Sequence, residues 1–373
     1  MIDLDGYVRY GRVEAALNAI REEKDGIIRA ELLAELLKRV EKSADYFEVR
    51  DGLINSRLFA DDRKTKAIIL SIIGEALFST GDEDNGFKFL EEAVSTAKRI
   101  AVLMWRAEAL VGVGLNLLRA GLYEDAYDLF NRAFEALTAS RKDEPDVAIK
   151  LISKAAGSLV MGTDYVEDGE WAAAYLELAA TMYESIGLEL PARNTRARAE
   201  LIRAAVDGNL GLMRRLLADN RVDDAVLMAR YMPGQFRGLA MMEIAFWLYA
   251  NDHPELGKDL FEDAYSLFNW AERSGYAIGD DSVFSLAMDF VKIGEPELAS
   301  RLANFIHDDK LLSKLLHRIA REYYKQGDEF LAVNVARAIP DETIKNMALH
   351  ELGGEVHVGY KQGLSIIRGG EKR

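Results

Sequence analysis

Apolar residues recur at i, i+3, i+4 and i+7 along almost the whole chain, and no stretch of useful length alternates apolar with polar residues. That period predicts helices and no strands. Short polar breaks interrupt the helices at Thr80-Gly81-Asp82, Ala120-Gly121, Asp168-Gly169, Asp219-Asn220, Asn251-Asp252, Ile293-Gly294 and Gln326-Gly327. Gly, Asn and Asp tolerate the left-handed backbone that ends a helix, so each break predicts a tight reversal. A succession of helix, tight turn and helix gives antiparallel helix pairs. The fold expected is therefore all-α, an irregular α-solenoid of such pairs.

The pairs resemble one another. Residues 66–98 superpose on 106–138 with a shift of 40: Leu70 falls on Leu110, Gly74 on Gly114, Leu77 on Leu117, Gly81 on Gly121, Phe87 on Tyr127, Leu90 on Phe130 and Ala93 on Ala133. Gly74 and Gly114 precede their turns by seven residues, and Gly86 and Ala126 follow them by five. Small residues at these offsets let two helices approach closely. The run Leu316, Ile319, Ala320, Tyr323-Tyr324-Lys325-Gln326-Gly327-Asp328, Ala332 follows the same plan.

On these residues the chain resembles the tetratricopeptide repeat, a helix–turn–helix unit of 34 residues with a small–small crossing and a large residue followed by alanine in its second helix. The resemblance implies a right-handed superhelix and a role in protein–protein interaction. The turn residues 81, 121, 169, 220, 252, 294 and 327 are separated by 40, 48, 51, 32, 42 and 33, so the repeats are irregular. Loop chemistry fills the wide gaps at Arg141-Lys142-Asp143-Glu144-Pro145 and at Gly187-Leu188-Glu189-Leu190-Pro191. The second divides the chain into N-terminal repeats 1–190 and C-terminal repeats 191–373 with a capping helix at the end. One continuous superhelix is the alternative.

Composition narrows the function classes. With 47 Lys+Arg against 62 Asp+Glu in 373 residues the net charge is −15, which disfavours general nucleic-acid binding. The absence of cysteine removes disulfides, thiolate metal sites and thiol nucleophiles, and fits a reducing or a hot compartment, so a thermophilic source is a candidate. No basic leader opens the chain and no apolar run approaches the roughly 20 residues that span a bilayer, so a cytoplasmic location and no membrane partner are expected.

Motifs for catalysis and ligand binding fall short. Gly81-Asp82-Glu83-Asp84-Asn85-Gly86 ends in Phe87 where a phosphate loop places lysine. His350 and His357 are seven residues apart, two helical turns or roughly 10 Å, too far to share one metal. The pairs Asp61-Asp62, Asp223-Asp224, Asp280-Asp281 and Asp308-Asp309 read as helix caps and first-turn acids. No cofactor, metal or catalytic residue is expected.

A solenoid lines its inner, concave wall with the first helices of its pairs. Counting back from each turn selects Ile68, Ser71, Glu75, Phe78 and Ser79 in one unit, and the apolar set Met242, Phe246 and Tyr249 in another. Met and aromatic side chains suit an adaptable groove for a peptide or helix. Near the C-terminus the same count selects Lys314, His317, Arg321, Tyr324 and Lys325, then His357, Tyr360 and Lys361. There the wall is basic and aromatic in an acidic protein. These two sets are the candidate partner-binding residues. The function expected is a non-enzymatic scaffold or adaptor that holds a peptide or helix, acidic if the basic wall is used. The alternatives are an all-α enzyme on an apolar or prenyl substrate, and an RNA-binding helical repeat, for which the arginine-rich stretch 192–221 is the sequence feature.

Overall fold

The computed structural model describes residues 3–276 and 278–353. His357, Tyr360 and Lys361 lie outside the described residues. Contacts divide the chain into two compact units, Met1–Glu200 and Leu201–Arg373.

The first unit carries α1 (Leu4–Arg9), α2 (Val13–Arg21), α3 (Gly26–Arg39), α4 (Ala44–Asn55), α5 (Arg63–Ser79), α6 (Glu83–Lys98), α7 (Leu103–Arg119), α8 (Tyr123–Ser140), α9 (Pro145–Gly162) and α10 (Gly169–Ser185). Helix α11 (Glu189–Val206) runs across the boundary. The second unit continues with α12 (Leu210–Ala218), α13 (Val222–Tyr231), α14 (Gly234–Ala250), α15 (Pro254–Arg273), α16 (Asp280–Lys292), α17 (Pro296–Leu302), α18 (Asp309–Lys325), α19 (Glu329–Arg337) and α20 (Glu342–Glu351). Among the described residues there is no strand. Within each unit the plan repeats: α5 packs on α6, α7 on α8, α14 on α15, α18 on α19, and each first helix also lies beside the next first helix. This is the helix-pair stacking of a solenoid-like all-α fold.

The turns explain why the chain reverses where it does. Gly81, Gly121, Gly294 and Gly327 adopt φ of 77 to 86°, and Asn220 and Asp252 take φ 60° and 63° at the equivalent places. The reversal at Asp168-Gly169 is built differently. A 3-10 turn at Thr163–Tyr165 follows α9, and the Asp168 carboxylate caps α10 by accepting the Trp171 N–H at 3.0 Å. No left-handed glycine is needed there. Pro191 also departs from the expectation of a loop: it is the third residue of α11, where a missing N–H costs nothing because first-turn donors have no intrahelical acceptor.

Helices α5 and α6 cross at backbone contact. A Cβ placed on Gly86 would stand 2.7 Å from the Phe78 backbone nitrogen and 2.8 Å from the Gly74 carbonyl oxygen, and one placed on Gly74 would meet the Gly86 carbonyl at 2.8 Å. The two backbones touch, which no larger residue permits. Leu90, Ala93 and Ala97 then bury the face of α6.

First helices are tied to one another by polar rungs. Lys38 on α3 pairs with Glu75 on α5 at 2.8 Å, the Asn116 amide on α7 donates to the Ser71 hydroxyl on α5 at 2.8 Å, and Lys64 on α5 pairs with Glu108 on α7 at 3.1 Å. Ser71 and Glu75, expected to line an open wall, are therefore buried, at 0% and 5% exposure.

Candidate functional site

Helix α18 begins at Asp308, whose carboxylate accepts the N–H groups of Lys310 and Leu311 at 2.8 and 2.9 Å. Those backbone hydrogen bonds, the Leu311 one foremost, hold its carboxyl below the usual range, with the charges of Lys310 and Lys314 adding to the effect against desolvation. The helix buries Leu315, Leu316, Ile319, Ala320 and Tyr323 against its neighbours. One side of what remains outward is cationic. Lys310, Lys314, Arg318, Arg321 and Lys325 are all exposed, and at 3.6 residues per turn they fall within an arc of about 80°, running about 22 Å along the axis.

Part of this charge is already answered within the chain. Glu351 on α20 receives His317 at 3.1 Å and Arg321 at 3.6 Å, and Glu322 receives Lys325 at 2.7 Å. The hydrogen bond from His317 holds the Glu351 carboxyl below its ordinary value, opposed by slight desolvation and reinforced by the charges of His317, Arg321 and Arg318. Lys310, Lys314 and Arg318 form no ion pair with any described residue. Tyr324, 43% exposed, borders the stripe.

Of the residues selected from sequence, the structure therefore brings Lys314, His317, Arg321, Tyr324 and Lys325 together on one helix. Lys310 and Arg318 were missed because the count back from the turn used fixed offsets. Their spacing of four from Lys314 was the signal.

The apolar set needs correction. Met242 is 0% exposed and belongs to the core of the second unit, so it has no surface to give a partner. Phe246 and Tyr249 are half-buried against Phe290, with ring centroids at 5.5 and 5.9 Å, and Tyr249 also covers Gly257. The reason is that α14 is surrounded by α12, α13, α15 and α16. Its Met and aromatic stripe packs neighbouring helices. The arginine-rich stretch 192–221 is engaged in part: Arg196 pairs with Glu177 and Glu184, Arg214 forks onto Glu243, and Arg221 pairs with Asp224.

No protein-family model matches the chain, and no curated protein matches it. In fold it is similar to Ton1535 from Thermococcus onnurineus NA1, with a TM-score of 0.56 and 20% identity over 94% of this chain and 98% of that one. A circular tandem repeat protein with a novel repeat topology aligns with 16% identity over 94% of this chain and 81% of that one, but its TM-score of 0.17 carries no argument. The first likeness is one of fold alone.

Proposed function

We propose that the protein is a cytoplasmic, non-enzymatic scaffold of tetratricopeptide-like repeats that docks an acidic segment of a partner protein along α18. The observation that supports this reading is the stripe of five outward cations, three of them in no close ion pair with a described residue. An extended or helical segment with several carboxylates can follow a stripe of that length. Exposed ion pairs contribute only about 0.2–1 kcal/mol each, so the affinity expected is modest and additive over the stripe. It weakens as added salt shortens the Debye length from about 30 Å towards about 3 Å.

The test uses a fluorescein-labelled polyglutamate peptide. Anisotropy should report binding to the wild type, weakened by salt and reduced about 30-fold in Lys314→Glu/Arg318→Glu/Arg321→Glu, the equivalent of about 2 kcal/mol. Equal binding by that variant with its helicity intact, or binding of single-stranded RNA in preference to polyglutamate, would overturn the proposal.

A further inference from the structure

The second helices of neighbouring pairs leave a gap between them, and in two places the chain fills it with its own aromatic side chains. Between α8 and α10, Tyr127 meets Trp171 and Tyr175 with ring centroids at 5.8 and 5.7 Å, and the Tyr175 hydroxyl donates to the Tyr123 carbonyl at 2.6 Å. Between α15 and α17, the Arg301 guanidinium lies over Phe261 and Tyr265 at 4.9 and 4.4 Å and forms two hydrogen bonds to Glu262. Both gaps are plugged.

Between α6 and α8 the plug is missing. Phe87 stands six residues after Gly81, as Tyr127 stands six after Gly121, yet it is 45% exposed. The residues of α8 that face it across the gap, Asp125 and Asp128, are too short to fill the space. What remains is a cavity of about 450 Å³ floored by Leu90, Leu117 and Leu129, a volume in the range of side-chain and small-ligand pockets. Its polar mouth is unbalanced. Asp128 is taken by Arg132 at 2.7 Å and by Lys98, across the groove, at 3.8 Å. Glu91 and Asp125 have no ion pair with a described residue, and neither has Arg99 at the end of α6, so the unpaired groups of the lining leave one net negative charge, on the side of Glu91 and Asp125.

We propose that this groove is a second binding site, independent of the α18 stripe, which receives a partner segment bearing an aromatic side chain next to a cationic one. The aromatic ring takes the place that Trp171 and Tyr175 fill one pair further on. The cation meets Glu91 and Asp125. The exposed Lys98–Asp128 bridge, worth little in water, is displaced at small cost.

The probe is a labelled pentapeptide of alternating lysine and tryptophan, compared with one in which alanine replaces tryptophan and one in which glutamate replaces lysine. The lysine–tryptophan peptide should bind the wild type and the α18 triple variant alike. The other two should bind at least about tenfold more weakly. Glu91→Lys/Asp125→Lys should lose binding on the order of tenfold. Ser95→Trp, which fills the cavity from α6, should block it while the denaturation midpoint holds or rises. Retained binding in the filled variant would mean that the peptide adheres to the acidic surface at large, and would overturn the proposal. So would failure of the wild type to bind, or equal binding of the alanine peptide.

Discussion

The outward face of α18 and the groove between α6 and α8 offer a partner opposite things. The first is a line of charge: five exposed cations along one face of a helix. The second is shape with little charge: a leucine-floored hollow with two unpaired carboxylates at its mouth. Charge on a ridge acts over a Debye length and is screened by salt. The apolar floor of a hollow acts only on contact, through the area it removes from water, so binding there should respond to salt less than binding to the ridge, through Glu91 and Asp125 alone. If both proposals hold, stacked helix pairs carry two modes of recognition without any change of architecture. One arises from what a single helix exposes, the other from what two helices fail to fill.

The sharpest way to separate the two regions is to damage each unit in turn. Met242→Ala should cost about 3–4 kcal/mol, since it empties a fully buried site in the core of the unit that carries α18. Denaturant titration followed by circular dichroism measures it, and a loss below about 0.5 kcal/mol would return this residue to the surface. Gly86→Ala should cost about 3 kcal/mol, at the top of the range for overpacking, because the added methyl meets backbone on the facing helix. It should also weaken lysine–tryptophan binding while leaving polyglutamate binding unchanged. The reverse selectivity would break the comparison.

A smaller effect is expected from Gly114→Ala. Its Cβ would approach only the Phe130 ring, at 3.1 Å, and a ring can tilt, so about 1 kcal/mol is expected. The smallest concerns the acid that answers the α18 stripe. The Glu351 carboxyl is held below its ordinary value, chiefly by the His317 hydrogen bond. Its stabilisation is present above the ordinary value and is lost as pH falls through the lowered folded value. Glu351 is largely solvated, so the loss should be only a few tenths of a kcal/mol. It should show as lower amide protection factors in α20 at acid pH, after correction for the intrinsic exchange rate, and unchanged protection would remove the His317–Glu351 contact from the account of this face.

How much of this could be read beforehand depended on where the information lies. Helices and most turns are local: period and a glycine, asparagine or aspartate at the reversal suffice, and Gly81, Gly121, Gly294, Gly327, Asn220 and Asp252 all take the left-handed conformation expected of them. Gly169 does not, because a capping aspartate and a 3-10 turn offer another route through the bend. The basic face was legible because its residues sit on one helix at helical spacing. The Met242 stripe was misassigned because a helix surrounded by others buries most of its circumference, and an offset from the turn cannot distinguish a wall from a core. The open groove was invisible for a deeper reason. It depends on side chains that are absent from the space between α6 and α8, and a spacing between helices leaves no mark in either helix alone.

The polar rungs between first helices have a mechanical consequence in the N-terminal unit. Lys38–Glu75, Ser71–Asn116 and Lys64–Glu108 join α3 to α5 and α5 to α7 on one side of the stack. On the other side, α6 and α8 are separated by the hollow and linked by one long surface bridge. A load that opens the rung side must stretch partly buried hydrogen bonds, whereas one that opens the groove side displaces solvent. Bending of the unit is therefore expected to be lopsided, with the rungs as the stiffer side and the gap between α6 and α8 as the softer one. A ligand wedged into that gap would stiffen the spring, and a pulling experiment along the stack would register its arrival as a change in compliance before any helix unfolds.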